Sequence, residues 1–299
     1  MRQLVKQLVG RKTIDRIRYA RGRMRVSGIQ IVNKLLGYSK IDLGAGADAA
    51  AISWWTGDVQ TGFLFSEKTI LPLKDNSISF AYSSMFFEHL TDETSLNLLR
   101  EVKRVLKLNS CLRIVVPDFG TYIRKYREGD KAYFYSEGND NFKTWAAMGV
   151  PIDMEHLLVG MISAIHNLPH EIVAYSSFEN FDVSPARVCY PFQTRLPGYY
   201  CGPAPEMTTE QIKNKLATLS QEDFVAWVFE ETDRSGQQDP TFNSWHKNQW
   251  DLEKLTAFAT AAGFARVERS KYGELPYFPG AKREKPQHEP LGIYFNIYN

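Results

Sequence analysis

Residues 78–116 hold three segments whose hydrophobic period changes in a fixed order. Ile78 to Ser83 (ISFAYS) has strand composition and ends at the polar pair Ser83-Ser84. Leu98, Leu99, Val102, Val105 and Leu106 then recur at helical spacing, behind Thr91 or Asp92 as an N-cap and acids in the first turn. Leu112 to Val116 is a near-continuous apolar run, as a strand buried on both faces requires. Strand, helix and buried strand in that order argue for a mostly parallel α/β sheet. The same grammar runs upstream. Residues 28–37 read as a helix stopped at Gly37, and Lys40 to Leu43 as a short strand before a glycine turn. Trp54 to Asp58 is a candidate second strand and Thr69 to Leu71 a weak third.

The alternation stops at Pro117-Asp118. From there to about Asn248 the chain offers only candidate helices, near 119–128, 154–166, 208–219 and 221–231, separated by aromatic loops. It resumes where Asp251 can cap a helix from Leu252 to Ala262, with Trp250 and Leu255 as a hydrophobic staple and Gly263 as the stop. Phe264 to Arg269 alternates apolar and charged residues, and Ile293 to Tyr298 makes a final strand. Two closing strands joined by a loop suggest an antiparallel pair at one edge of the sheet. The organisation expected is a basic N-terminal helical segment (1–37), a core domain (38–120 and 245–299) and a capping insertion (121–244) on the substrate side.

Composition narrows the function classes. A hydrophobic fraction of 43% and a charged fraction of 23% belong to a globular chain, and a net charge of +2 makes no strong electrostatic statement. Cys111, Cys189 and Cys201 form no CxxC pair and no zinc spacing. Cys111 reads as a core residue. Cys189 and Cys201 could pair, but nothing else marks an oxidising compartment, so the expected setting is a reduced cytoplasm. No run of 18 apolar residues predicts a membrane span, and the N-terminus lacks the apolar core of a secretory signal. Nine Lys or Arg residues lie between Arg2 and Arg25 against one acid, Asp15. That segment fits an anionic membrane surface, which would make the protein peripheral at the inner membrane. It also fits a nucleic-acid backbone, or a solvated helix packed on the domain.

The glycine turn sits in KIDLGAGADAAAISWWTGD, residues 40–58. Gly44, Gly46 and Ala49 make a G-x-G-x-x-A pattern that lets a backbone approach either a dinucleotide or another nucleoside ligand. Asp42 lies at the mouth of the strand, where a carboxylate suits an ammonium group and repels a pyrophosphate. Asp58, at the end of the second strand, can take both ribose hydroxyls, and it comes 14 residues after Gly44, short of the roughly 20 of dinucleotide sites.

These residues resemble those of a known family. IDLGAG is similar to motif I of class I S-adenosylmethionine (SAM)-dependent methyltransferases, and LPLKDNSISFAYSSMFFEHL (71–90) resembles the segment around their fourth strand. LLREVKRVLK and LRIVVPD continue the likeness. WHKNQWDLEKL…AGF (245–264) resembles the late helix of a subgroup found among bacterial polysaccharide-modifying methyltransferases. The resemblance covers about 40–120 and 245–299 and leaves the insertion out. It implies a Rossmann-like methyltransferase fold with SAM as cofactor. The run Asp42, Leu43, Gly44, Ala45 and Gly46 would hold the methionine end and Asp58 the ribose. Leu71 and its neighbours would border the adenine, and Ser83 to Met85 would form the floor near the methyl group. There are departures: Leu108-Asn109-Ser110 replaces the usual Pro-Gly-Gly, the third glycine of motif I is missing, and Glu67 stands four residues before Leu71.

Methyl transfer to a hydroxyl needs the acceptor in line with the S–CH₃ bond, and a base. His89 beside Glu88 falls just after the fourth-strand segment, and His246 stands between Trp245 and Trp250. His89, His246 and Glu88 are the candidate catalytic residues; the alternative for His89 is a loop-fixing pair with Glu88, and for His246 a structural place before the late helix. Asp118 is a further candidate base or, with Trp245, part of the acceptor site. His166 and His170 flank NLP, and Pro169 breaks the helix that would set both on one face, so no metal site is expected. Aromatic runs at 133–135, 190–192 and 198–202 suit either a sugar acceptor or the cap's own core. Nucleic acid fits poorly, because Ser83-Ser84-Met85-Phe86 stands where base-amine enzymes carry Asn/Asp-Pro-Pro-Tyr/Phe, and no cysteine follows a proline. The expected activity is O-methylation of a sugar hydroxyl on a bacterial surface glycan or its precursor. The alternatives are methylation of a small metabolite and a non-catalytic partner in a glycan-synthesis complex. An NAD-dependent oxidoreductase is disfavoured by Asp42. Oligomeric state is not legible.

Overall fold

The structure, a computed structural model, describes residues 28, 33, 37–45, 53–58, 63–136, 153–164, 207–236, 245–274 and 284–299. The expectations for Gly46, Ala49, His166, His170, Cys189, Cys201, the basic segment before residue 28 and the aromatic runs at 190–192 and 198–202 lie outside the described residues.

Six strands form one sheet: β1 (Lys40–Leu43), β2 (Trp54–Gly57), β3 (Ile78–Ser84), β4 (Leu106–Pro117), β5 (Arg266–Ser270) and β6 (Gly292–Tyr298), in the order β2-β1-β3-β4-β6-β5. β1 pairs in parallel with β2 and β3, and β3 with β4, while β6 runs antiparallel between β4 and β5. The strand order reverses at β1, which places the crevice between β1 and β3 where Rossmann-like sheets bind ligands. The fold is Rossmann-like α/β, with the antiparallel elements at one edge as the sequence predicts.

Two expected elements differ. Thr69 to Leu71 is not a strand. Its backbone is satisfied by side chains of α1 (Asp92–Val105): Asn97 Nδ2 donates to the Thr69 carbonyl at 2.8 Å, the Leu71 N–H to Glu101 Oε2 at 2.8 Å, and Arg104 to the carbonyls of Leu71 and Leu73. With those groups taken, nothing is left for a sheet ladder. The central strand also begins earlier than Leu112. Ile78 pairs with Leu106 and Phe80 with Cys111, so residues 107–110 form a bulge, and Asn109 there adopts φ +61°. A left-handed asparagine thus does the work of the usual glycine.

Of the three hydrophobic clusters among the described residues, the two larger organise most of the packing. One covers a face of the sheet, where Leu98, Leu99 and Val102 of α1 meet Ile41, Leu43, Ile114 and Phe295. α1 is capped by Thr91, whose hydroxyl accepts from Thr94 N. The other cluster lies among helices: α2 (Phe119–Arg127), α3 (Lys131–Phe134), α4 (Met154–Ser163), α5 (Thr209–Thr218) and α6 (Gln221–Gly236). α4 is buried from Glu155 to Ser163, and Phe134, Tyr122 and Tyr133 pack around it. The last helix, α7 (Leu252–Ala261), starts where Asp251 accepts from Lys254 N at 2.7 Å, and Gly263 at φ +91° ends its turn. Among the described residues no helix is long and apolar enough to cross a membrane.

The other sheet face carries a polar rung. Thr56, Asp42, Tyr82, Arg113, Asn296 and Glu268 are successive register partners across all six strands. Arg113 is fully buried, donating to Glu284 Oε1 at 2.8 Å, Asn296 Oδ1 at 3.0 Å and the Lys271 carbonyl at 2.6 Å. Arg113→Met should cost about 3–5 kcal/mol in urea denaturation, because Glu284 would be left buried without its counter-charge. The double change Arg113→Met, Glu284→Leu should cost less than the single one.

A second ion pair braces the helical cluster. His156 Nδ1 lies 2.6 Å from Asp153 Oδ1, and Nε2 lies 2.8 Å from the Met207 carbonyl. Burial opposes charge on both groups, yet their mutual hydrogen bonding outweighs it, so the His156 pKa is raised and the Asp153 pKa lowered. The raised histidine stabilises the fold below its unfolded pKa and loses that contribution as pH climbs through its folded value. The depressed carboxylate stabilises above its unfolded pKa and loses that contribution in acid. The insertion should therefore be tightest between about pH 4 and about pH 6.5. Amide-exchange protection in α4 should fall on the alkaline side in the wild type and stay level in His156→Asn.

Candidate functional site

The carboxyl ends of β1 and β3 lie side by side, Leu43 paired with Ser83. Ser83 is fully buried and its hydroxyl donates to the Leu43 carbonyl at 3.2 Å, locking the two ends together. The chain then turns at Gly44, whose φ is +71° and whose N–H donates to the Gly57 carbonyl at 2.8 Å. Gly44 also has no room for a side chain: an added Cβ would lie 2.3 Å from Phe86 Cγ. Asp42 is buried at 3% exposure, in register with Tyr82 on one side and Thr56 on the other. Burial raises the Tyr82 phenol well above its usual range, and the Asp42 charge adds to that. Asp58 follows directly after β2. Leu71 is buried with its N–H held by Glu101. At the end of β3, Ser84 Oγ meets His288 Nδ1 at 3.0 Å, and Met85 adopts φ +50°, its N–H on the Val115 carbonyl. A methionine in that region stores backbone strain at the ligand edge of the sheet.

Beyond Met85 a 3₁₀ turn, Phe87–His89, carries Glu88 and His89. Residues 245–250 return from the insertion and fasten onto it. Lys247 N and Asn248 N both donate to the Glu88 carbonyl, at 2.8 and 3.1 Å, and Trp250 Nε1 donates to the Phe87 carbonyl at 3.1 Å. His89 Nδ1 lies 3.2 Å from the Trp245 carbonyl. His246 is tied to the end of α4, its N–H on the Ser163 carbonyl at 3.0 Å and its Nδ1 on the Ile162 carbonyl at 2.7 Å. A carbonyl only accepts, so Nδ1 is protonated in both rings, and in His246, which burial keeps neutral, Nε2 carries the lone pair. The rings sit 4.8 Å apart, and His246 Nε2 lies 3.9 Å from Glu88 Oε1.

The Glu88 carboxyl is fully buried, and among the described residues neither oxygen makes a well-formed hydrogen bond. Burial pushes its pKa up to about 8, and the backbone N–H groups of Glu88 and Phe86 only moderate the shift. Burial likewise holds His246 well below its usual value, the nearby His89 adding to that and the Ile162 carbonyl opposing it. Near neutrality the pocket holds a protonated carboxyl and a neutral imidazole, an arrangement able to exchange a proton with a bound hydroxyl.

Asp42, Leu43, Gly44, Ala45, Asp58, Ser83 and Met85 thus gather at the carboxyl edge of three neighbouring strands, and Glu88, His89 and His246 form one cluster. Asp118 caps α2 instead of standing open, accepting from Thr121 N at 2.9 Å and Thr121 Oγ1 at 2.8 Å. Trp245 is buried, with Lys247 Nζ 4.8 Å over its ring. Sequence reasoning missed Phe86 and His288. Phe86 continues the run that named Ser83 to Met85, but only the close approach at Gly44 marks it; His288 is 204 residues from Ser84 and gave no signal.

No protein-family model matches the sequence, and no curated protein matches it. Solved structures with a similar core include SAM-dependent methyltransferases from three organisms. That of Aquifex aeolicus is 23% identical over 30% of this chain and 64% of its own, with a TM-score of 0.22. That of Mesorhizobium loti is 20% identical over 29% and 49%, TM-score 0.22, and that of Archaeoglobus fulgidus 19% over 38% and 59%, TM-score 0.24. This chain therefore spans less than two thirds of each of these proteins.

Gly44→Ala should destabilise the fold by at least about 2 kcal/mol, since it meets both the positive φ and the Phe86 ring. In a Phe86→Ala background the clash disappears and only the backbone strain remains, so a double-mutant cycle in urea should give a clearly non-additive result. Additive costs would mean that Phe86 does not lie against Gly44.

Proposed function

We propose that this chain is a SAM-dependent methyltransferase that O-methylates a sugar hydroxyl of a bacterial surface glycan or its precursor. One observation carries the cofactor reading: a buried carboxylate, Asp42, stands at the switch point of the sheet beside a left-handed glycine, with a second acid, Asp58, one strand away. That edge suits a nucleoside bearing an ammonium group and suits a pyrophosphate poorly. SAM would supply the electrophilic methyl group there.

Asp42 would accept from the ammonium group, directly or through water, and Asp58 would take the ribose hydroxyls. Leu43, Gly44, Ala45 and Gly46 would hold the methionine end, Leu71 would border the base, and Ser83 with Met85 would line the floor near the methyl group. The acceptor hydroxyl would approach from the side of the insertion, where Glu88, His89 and His246 are the candidate catalytic groups: an imidazole would take its proton, and the protonated Glu88 carboxyl could take part once it has passed its own proton on. Trp245 and the aromatic side chains of the insertion would suit a sugar ring as acceptor, and Asp118, although it caps α2, would belong to the same acceptor site. Positioning provides most of the rate and the base about 10²–10⁴-fold. The basic N-terminal segment would hold the enzyme on the inner membrane surface, where a lipid-linked precursor is made.

Calorimetric titration with S-adenosylhomocysteine, in parallel with NAD, tests the reading. The wild type should bind S-adenosylhomocysteine in the micromolar range, Asp42→Ala should abolish that binding, and NAD should give no heat. Silence toward S-adenosylhomocysteine would overturn the proposal. Radiolabelled methyl transfer, read as an O-methyl sugar after acid hydrolysis, identifies the acceptor.

A further inference from the structure

We infer that Glu88, His89 and His246 form a binding site for one divalent transition-metal ion, held by the carboxylate, Nε2 of His246 and a ring nitrogen of His89. The three side chains offer ligand atoms that all lie within 4.8 Å of one another. Any triangle so bounded contains a point within about 2.8 Å of all three corners. Closing to bonds of ~2.0–2.2 Å asks each side chain to move by less than about 1 Å.

The surroundings are those a metal site needs. Each imidazole is oriented by a backbone carbonyl on Nδ1, Trp245 for His89 and Ile162 for His246, and in His246 this leaves Nε2 facing Glu88 at 3.9 Å. Glu88 supplies the negative charge once the ion displaces its proton. It is 0% exposed, and among the described residues neither of its oxygens makes a well-formed hydrogen bond. A buried carboxyl left unpaired is costly, and a coordinated cation removes that cost. Its backbone is meanwhile held by two N–H groups, so the side chain is aimed without being used. The packing is apolar, with the Phe119 ring 5.7 Å from His246, which strengthens coordination by keeping water away.

Two imidazoles and one carboxylate select a borderline ion such as Zn²⁺, Co²⁺ or Fe²⁺ over Mg²⁺ or Ca²⁺. Three protein ligands leave a coordination position for water or a substrate oxygen. The inference stands whether or not methyl transfer is the reaction, since occupancy is read without turnover.

The test uses the full chain, stripped with a chelator and dialysed against Zn²⁺ and, separately, Co²⁺. Wild type should retain one equivalent of each, and the Co²⁺ form should show d–d absorption of low-coordinate nitrogen and oxygen ligation. Glu88→Gln is the deciding variant, because it keeps the shape of the side chain and an acceptor oxygen for nearby N–H groups while removing the charge. It should weaken Zn²⁺ binding by more than about 100-fold. His246→Gln should do the same where circular dichroism shows it folded. Less than one equivalent on the wild type, or wild-type affinity in Glu88→Gln, would overturn the site. S-adenosylhomocysteine titration of the same stripped protein keeps the two readings apart. Its binding without metal binding sinks only the metal site, and metal binding without it sinks only the methyl-transfer reading.

Discussion

The mouth of the sheet depends on a single act of fastening: residues 245–250 are hydrogen-bonded to the turn that follows β3. The carbonyls of Phe87 and Glu88 receive Trp250 Nε1, Lys247 N and Asn248 N, and Asn248 Nδ2 reaches on to the Leu90 carbonyl. These bonds are buried, so losing one strands a polar group and costs more than its net worth in water. They tie the start of α7 to the edge where ligands bind. Through His246 they also tie the end of α4, and with it the helical cluster, to the same edge.

The two most deeply buried charged side chains of the sheet region behave in opposite ways. Arg113 spends its guanidinium on Glu284, Asn296 and Lys271, and the Tyr294 ring lies 4.9 Å away. It is a structural group, and its rung joins β4 to β6 and to the segment beyond β5. Glu88 has burial as complete, and among the described residues its carboxyl makes no well-formed hydrogen bond, with His246 Nε2 3.9 Å away. A satisfied buried network belongs to the architecture, whereas an unsatisfied one stores free energy for a ligand.

Much of this was legible in the sequence because the relevant signals are local. Period-2 and period-3.6 patterns located five of the six strands closely and all the long helices, and capping residues such as Asp251 fixed a helix start to the residue. Asp42, Gly44 and Asp58 were readable because strand ends and turn chemistry lie within one short stretch. What escaped was long-range. Thr69 to Leu71 has strand composition, but side chains of α1, 28 to 33 residues later, claim its backbone. The bulge before Leu112 follows from pairing with β3, which no window of β4 alone contains. Glu88 and His246 were each singled out, yet their meeting depends on a chain that leaves at Pro117 and returns beyond the insertion. His89 and the carbonyl that orients it are 156 residues apart.

The position of β6 has a consequence for synthesis. β4 is buried from Cys111 to Pro117, and one of its two edges is closed only by β6, which begins at Gly292. A ribosome adding ~5–20 residues per second needs roughly 10 to 35 s to deliver that partner. Throughout that interval the nascent chain presents an apolar strand with one unpaired edge, the feature on which other chains dock and aggregate. The insertion is what fills the interval. Its helices pack on one another in a cluster of their own, so they can form while β4 still waits, and a chaperone that shields the β4 edge would have its substrate during translation and lose it when the last seven-residue strand emerges.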